Sequence, residues 1–175
     1  HRFTALERAK EQGIGHYFVP RYTRVVDTAE SKDNINKAYN LISTSKVRNE
    51  MIIDDVITCV ARKQTPVILT RFKEHAKFLY DALKEKADHV FLLYGDNSDK
   101  ENAEIRVKLK QIPENESLIL VATGQKIGEG FDFPRLDVLM LAAPVSFEGR
   151  LGQYVGRLNR DYVGKQAVYV YDYID

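Results

Sequence analysis

A chain of 175 residues, 44% hydrophobic and 29% charged, is long enough for one sizeable domain and too short for two ordinary ones. That composition is globular and excludes a disordered or fibrous chain. With 26 Lys and Arg against 25 Asp and Glu, the net charge of +1 excludes a tail-driven nucleic-acid binder but not a local basic groove.

In chain order, the first fifty residues are polar and interrupted by Gly13, Gly15 and Pro20, with a short strand predicted at Tyr17-Phe18-Val19. Asp33 is placed to cap a helix carrying Ile35, Ala38, Tyr39 and Ile42 at helical spacing. Ser45 is placed to cap the next, with Ile52, Ile53, Val56, Ile57 and Val60 on one face. The lone Cys59 lies in that stretch and reads as a buried small hydrophobe. Pro66–Thr70 is an apolar run suited to a buried strand, followed by a helix over 73–86 with Ala76, Leu79 and Leu83 inward. A strand at Val90–Tyr94 ends at Gly95, and Ser98 with Glu101 forms a capping box opening a helix with Ile105, Leu109 and Ile112. Strands are predicted at 118–123, 138–142 and 167–171, with a helix over about 148–160 before the last. Tyr169, Tyr171 and Tyr173 alternate along that last strand, a pattern that suits sheet packing, with base stacking as the alternative.

Continuous apolar strands alternating with helices indicate an α/β fold, a mostly parallel sheet covered on both faces. Ligands of such sheets sit beyond the carboxyl ends of the strands, so the residues just after each strand carry the interest. No apolar run approaches a membrane span and no signal peptide opens the chain, so a cytoplasmic protein is expected. The four histidines (His1, His16, His75, His89) show no metal-ligand spacing, so no metal site is expected.

Two strings stand out. On the helix over 148–160, Phe147, Leu151, Tyr154, Val155 and Leu158 cluster on one side, while Gln153, Gly156, Arg157 and Arg160 fall on the other. Arg157 and Arg160 lie within roughly 60° of each other about the helix axis. Gly156 removes bulk beside the first arginine, and two guanidiniums one turn apart suit separated phosphoryl oxygens. An ordinary amphipathic helix with a solvated basic face is the alternative. The other string follows the third of the buried strands: Thr123, Gly124, Gln125, Lys126, Ile127, Gly128, Glu129, Gly130, Phe131, Asp132, Phe133, Pro134. Its glycines expose backbone N–H groups of the kind that hold phosphates, and Asp132 is placed to accept from a sugar hydroxyl. A flexible turn between strands is the alternative here. A dinucleotide fingerprint fits poorly, because Phe133 stands where its third glycine belongs.

Together these strings resemble motifs V and VI of superfamily 2 helicases, and Val67–Phe72 followed by a helix resembles motif IV. The resemblance covers about 46–175, which it identifies as the C-terminal RecA-like lobe. The pattern is nearest to the DNA-translocase branch that includes type III restriction Res subunits and XPB-like helicases. Gln153, Leu158-Asn159 and Glu129 depart from the RNA helicases of the DEAD-box type, which favours DNA over RNA. The resemblance implies that Arg157 and Arg160 reach the ATP γ-phosphate, one as arginine finger, and that Gln153 senses it. It places Gly128, Gly130, Asp132 and Gly156 near the nucleotide, and Thr70, Arg71, Thr123 and Gly124 near the nucleic-acid backbone.

The sequence has no G-x-x-x-x-G-K-[ST] and no Asp-Glu box after a strand, so the chain alone is expected not to hydrolyse ATP. These expectations describe half of a two-lobe motor that uses ATP and Mg²⁺ when complete. Residues 1–45 would then form the connection to an N-terminal lobe, and nuclease or methyltransferase components are conceivable partners. The reading that competes with the motor is a non-catalytic RecA-like module that binds nucleic acid or protein.

Overall fold

The computed structural model describes residues 15–23, 45–123, 134–143 and 167–174. Within them the chain forms β1 (Gly15–Tyr22), α1 (Lys46–Ala61), β2 (Pro66–Thr70), α2 (Lys73–Leu83), β3 (His89–Leu93), α3 (Asp99–Gln111), β4 (Leu118–Thr123), β5 (Val138–Leu141) and β6 (Ala167–Ile174). The six strands make one sheet in the order β1-β6-β5-β2-β4-β3. Every pairing is parallel. The parallel α/β reading therefore holds, and all carboxyl ends lie along one edge.

Side-chain alternation divides the core into two layers. Val67, Leu69, Leu118, Leu120, Leu139, Leu141, Val168 and Val170 face Leu109 of α3, with Ile105 and Ile112 partly buried beside them. Ile68, Ile119, Val121, Val138, Met140, Tyr171 and Tyr173 face Ile52, Val56 and Cys59 of α1 and Ala76, Leu79 and Leu83 of α2. Because both faces are covered, β2, β4 and β5 are buried along their whole length and read as nearly unbroken apolar runs. The helix starts follow their sequence signals. Ser45 Oγ accepts from the Arg48 N–H at 3.3 Å, and Ser98 Oγ accepts from the Glu101 N–H at 3.1 Å.

Some elements differ from expectation. The helix predicted over 73–86 stops at Leu83, where the Lys86 N–H turns to the Leu83 carbonyl. The strand expected at Val90–Tyr94 lies one residue earlier. Ile57, expected on the inward face of its helix, is 37% exposed, because α1 turns Arg48, Asn49, Ile52, Val56 and Cys59 to the sheet. β1 runs well beyond Tyr17–Val19, paired with β6 from Gly15 to Tyr22. β1 comes from the segment expected to form the connection, and among the described residues it pairs with β6 alone, an arrangement in which Pro20 is tolerated. The helix expected to start after Asp33 and the one expected over 148–160 fall outside the described residues.

Candidate functional site

The strand order marks one place on the carboxyl edge. The chain leaving β2 next enters the sheet at β3, on one side, whereas the chain leaving β5 next enters at β6, on the other. Neighbouring strands whose connections diverge open a crevice beyond their carboxyl ends, which is where ligands bind in open α/β sheets. β2 and β5 are such a pair, closed at that end by the Ala142 N–H donating to the Leu69 carbonyl at 2.8 Å.

A buried polar cluster lies at this point. Thr70 Oγ1 and His75 Nδ1 are 2.7 Å apart, and His75 Nε2 is 2.8 Å from Asn49 Oδ1. Asn49 Oδ1 can only accept, so Nε2 carries the imidazole proton and Nδ1 accepts from the Thr70 hydroxyl. Arg48, fully buried, donates to the carbonyls of Ala142 and, at 3.3 Å, of Tyr173. Burial, reinforced by the Arg48 charge, lowers the His75 pKa to about 4 from 6.5, so the ring is neutral near pH 7. One turn of α1 thereby holds the ends of β5 and β6 directly and reaches β2 through α2.

Of the residues expected near nucleic acid, the structure brings three together here. Thr70 and Thr123 are register partners at the ends of β2 and β4, both buried. Arg71 is exposed, with its guanidinium 5.9 Å from the centroid of the Phe72 ring. Beside it Lys73 donates to Asp96 at 3.2 Å, an exposed ion pair that clips the β2–α2 turn to the β3–α3 turn. Asn97 and Asn102 brace the latter: Asn97 Nδ2 donates to the Leu92 carbonyl at 2.7 Å and to Asn102 Oδ1 at 3.0 Å. Gly124, Gly128, Gly130, Asp132, Gln153, Gly156, Arg157 and Arg160 lie outside the described residues. The segments that hold them leave β4 and β5 at the same carboxyl edge. Among the described residues no three His, Cys, Asp or Glu gather.

The opposite edge is built differently. Arg135 donates to the carbonyls of Ile112, Pro113, Glu114 and Glu116, and Thr65 N–H donates to Asp137 Oδ1 at 2.7 Å. These contacts satisfy backbone carbonyls around the α3–β4 turn and need no ligand to explain them. Cys59 is likewise inert: burial raises its thiol pKa to about 11. On β6, Tyr171 and Tyr173 are buried in the core and Tyr169 stacks on Tyr17 with ring centroids 5.0 Å apart, as sheet packing requires.

Arg48, Asn49 and His75 were not singled out from sequence. A signal existed: Arg48, Ile52, Val56 and Cys59 follow helical spacing, as do His75, Leu79 and Leu83. The stripes that define the core therefore pass through these polar residues.

No protein-family model matches the chain. It is 28% identical over 172 residues, 92% of its length, to the transcript termination protein A18 of Yaba-like disease virus. It is 24% identical over 157 residues to the protein of the same name from Myxoma virus. The chain spans about a third of these relatives, 35% and 32%. Among solved structures, T4 UvsW superposes over 93% of the chain with a TM-score of 0.63 at 23% identity, using 32% of that protein. The Sulfolobus solfataricus SWI2/SNF2 ATPase core in complex with dsDNA covers 91% of this chain and 41% of its own, with a TM-score of 0.57 at 15% identity. Domain 2 of the DEAD-box helicase Mss116p, bound to an RNA duplex, covers 92% of this chain and 54% of its own, with a TM-score of 0.54 at 16% identity. The fold is that of the RecA-like lobes of helicases.

Proposed function

We propose that this chain is the second motor lobe of an ATP-dependent nucleic-acid translocase or helicase, acting on DNA. The observation that carries this reading is the departure of both phosphate-suited strings from one edge. The segment with Gly124, Gly128, Gly130 and Asp132 starts at the end of β4, and that with Gln153, Gly156, Arg157 and Arg160 starts beyond β5. The strands they follow, β4 and β5, stand on either side of β2, and the exposed Arg71 lies just past the end of β2.

In this reading Arg157 and Arg160 neutralise charge spreading over a transferred phosphoryl group, with Gln153 alongside. Asp132 and the glycines hold the nucleotide, and Arg71, Thr123 and Gly124 form part of the nucleic-acid track. The preceding lobe would supply the phosphate cradle and the Mg²⁺ ligands. The restriction Res-subunit assignment is narrower and rests on the motif strings alone. The name of the viral relatives, transcript termination protein, suggests transcript termination as the process in which such a motor would act.

ATP turnover of the intact two-lobe protein, with and without duplex DNA, tests the reading. An arginine finger is worth about 10³–10⁵ in rate, so Arg157→Ala or Arg160→Ala is expected to lower turnover about 10²-fold or more. The 175 residues alone are expected to show no robust turnover. Wild-type turnover in both variants would leave a non-catalytic binding module as the better description.

A further inference from the structure

Polar side chains taken out of water into an apolar layer cost stability unless fully hydrogen-bonded, and apolar replacements are often tolerated as well or better. Yet Thr70, Asn49 and His75 are 2%, 4% and 3% exposed, with Asn49 and His75 buried in the same helices as Ile52, Ala76 and Leu79. They are joined end to end, from α1 through α2 to the last residue of β2, at the crevice marked by the strand order. Arg48, in the same turn of α1, fixes the far end of the chain of contacts by its bonds to β5 and β6. The near end is Thr70, whose peptide leads directly to the exposed Arg71.

We propose that His75 is a positioning residue for nucleic-acid-coupled turnover, acting through Thr70 to fix the β2–α2 turn that presents Arg71 to a phosphate backbone. The inference rests on the motor reading and extends it to a residue that touches neither nucleic acid nor nucleotide. Because the Thr70 hydroxyl donates to His75, its proton is not free for a phosphate. Thr70 thus contributes orientation, and Arg71 the charge. At this turn Phe72 precedes α2 without a side-chain cap hydrogen bond, and Lys73 meets Asp96 in an exposed pair of the kind that contributes little.

The test titrates ATP turnover of the intact two-lobe protein with duplex DNA for wild type, His75→Leu, His75→Asn, Arg71→Ala and the double variant His75→Leu/Arg71→Ala. The readouts are the DNA concentration giving half-maximal stimulation and the KM for ATP. Arg71→Ala and His75→Leu are each expected to raise the half-maximal DNA concentration about fivefold or more, with the KM for ATP unmoved. His75→Asn places an acceptor near the former Nδ1 and is expected to recover part of the loss. In the Arg71→Ala background His75→Leu is expected to add less than about twofold, because both act through one contact.

A wild-type DNA requirement in His75→Leu, or effects that multiply in the double variant, overturns the proposal. If Arg71→Ala itself leaves the DNA requirement unchanged, the role of Arg71 falls and the proposal with it. The motor reading is judged separately, by Arg157→Ala and Arg160→Ala. Should His75→Leu fail to fold, His75→Asn and His75→Gln carry the test: the first preserves the bond toward Thr70, the second that toward Asn49. A wild-type DNA requirement in His75→Gln would then overturn the proposal, and a raised one with His75→Asn closer to wild type would support it.

Discussion

Protonating His75 would set a second positive charge beside Arg48 in a layer that excludes water. With a folded pKa of about 4 against 6.5 when exposed, the folded chain refuses a proton that the unfolded chain accepts in between. Its contribution is therefore complete above about pH 6.5 and is lost as pH falls toward 4. From the size of the shift, wild type is expected to lose about 2 kcal/mol more than His75→Leu between pH 7 and pH 5. Urea unfolding at the two pH values measures this, and equal losses would show that the ring is not buried neutral. Tyr173 shows another response to the same dry layer. Burial, then the adjacent Asp55 carboxylate, raises its pKa, and its hydroxyl donates to Asp55 Oδ2 at 2.9 Å.

At the scale of elements, caps and apolar runs set most boundaries. Ser98→Ala removes the acceptor for the Glu101 N–H and is expected to cost about 1 kcal/mol. Thermal or denaturant unfolding measures it, and a cost near zero would mean water replaces the cap. β2 and β4 were legible to the residue because each is a closed apolar run between turn signals. β1 was only partly legible, since its length is set by pairing with β6 and not by its own apolar residues. In the site, Thr70, Arg71 and Thr123 were singled out through their resemblance to helicase motifs IV and V, and the structure puts them at or just past the ends of β2 and β4. The Asn49–His75–Thr70 relay was not. Its partners lie in two helices and a strand, and only packing brings Asn49 to His75.

The 175 residues carry a net charge of +1, so any affinity of this lobe for nucleic acid depends on a few placed cations. Counterion release makes this measurable, since each phosphate contact contributes about 0.9 to the slope of log K against log salt on duplex DNA. Arg71→Ala in the intact protein is expected to flatten that slope by about 1, whereas a slope unchanged within error would place Arg71 away from the backbone. Substitution at Arg135, on the opposite edge, is expected to affect stability alone.

The pairing of β1 with β6 also bears on how the molecule is made. Gly15 meets Ala167 and Tyr22 meets Ile174, so among the described strands an early one docks against the last. During synthesis β1 leaves the ribosome with Phe18 and Val19 unshielded and must wait for β6. Until residues 167–174 emerge, the outer side of β5 stays open as well. A nascent chain stalled before Ala167 therefore leaves β1 and the outer side of β5 without the partner that β6 supplies to both, the state in which a parallel sheet is prone to pair with a neighbouring chain.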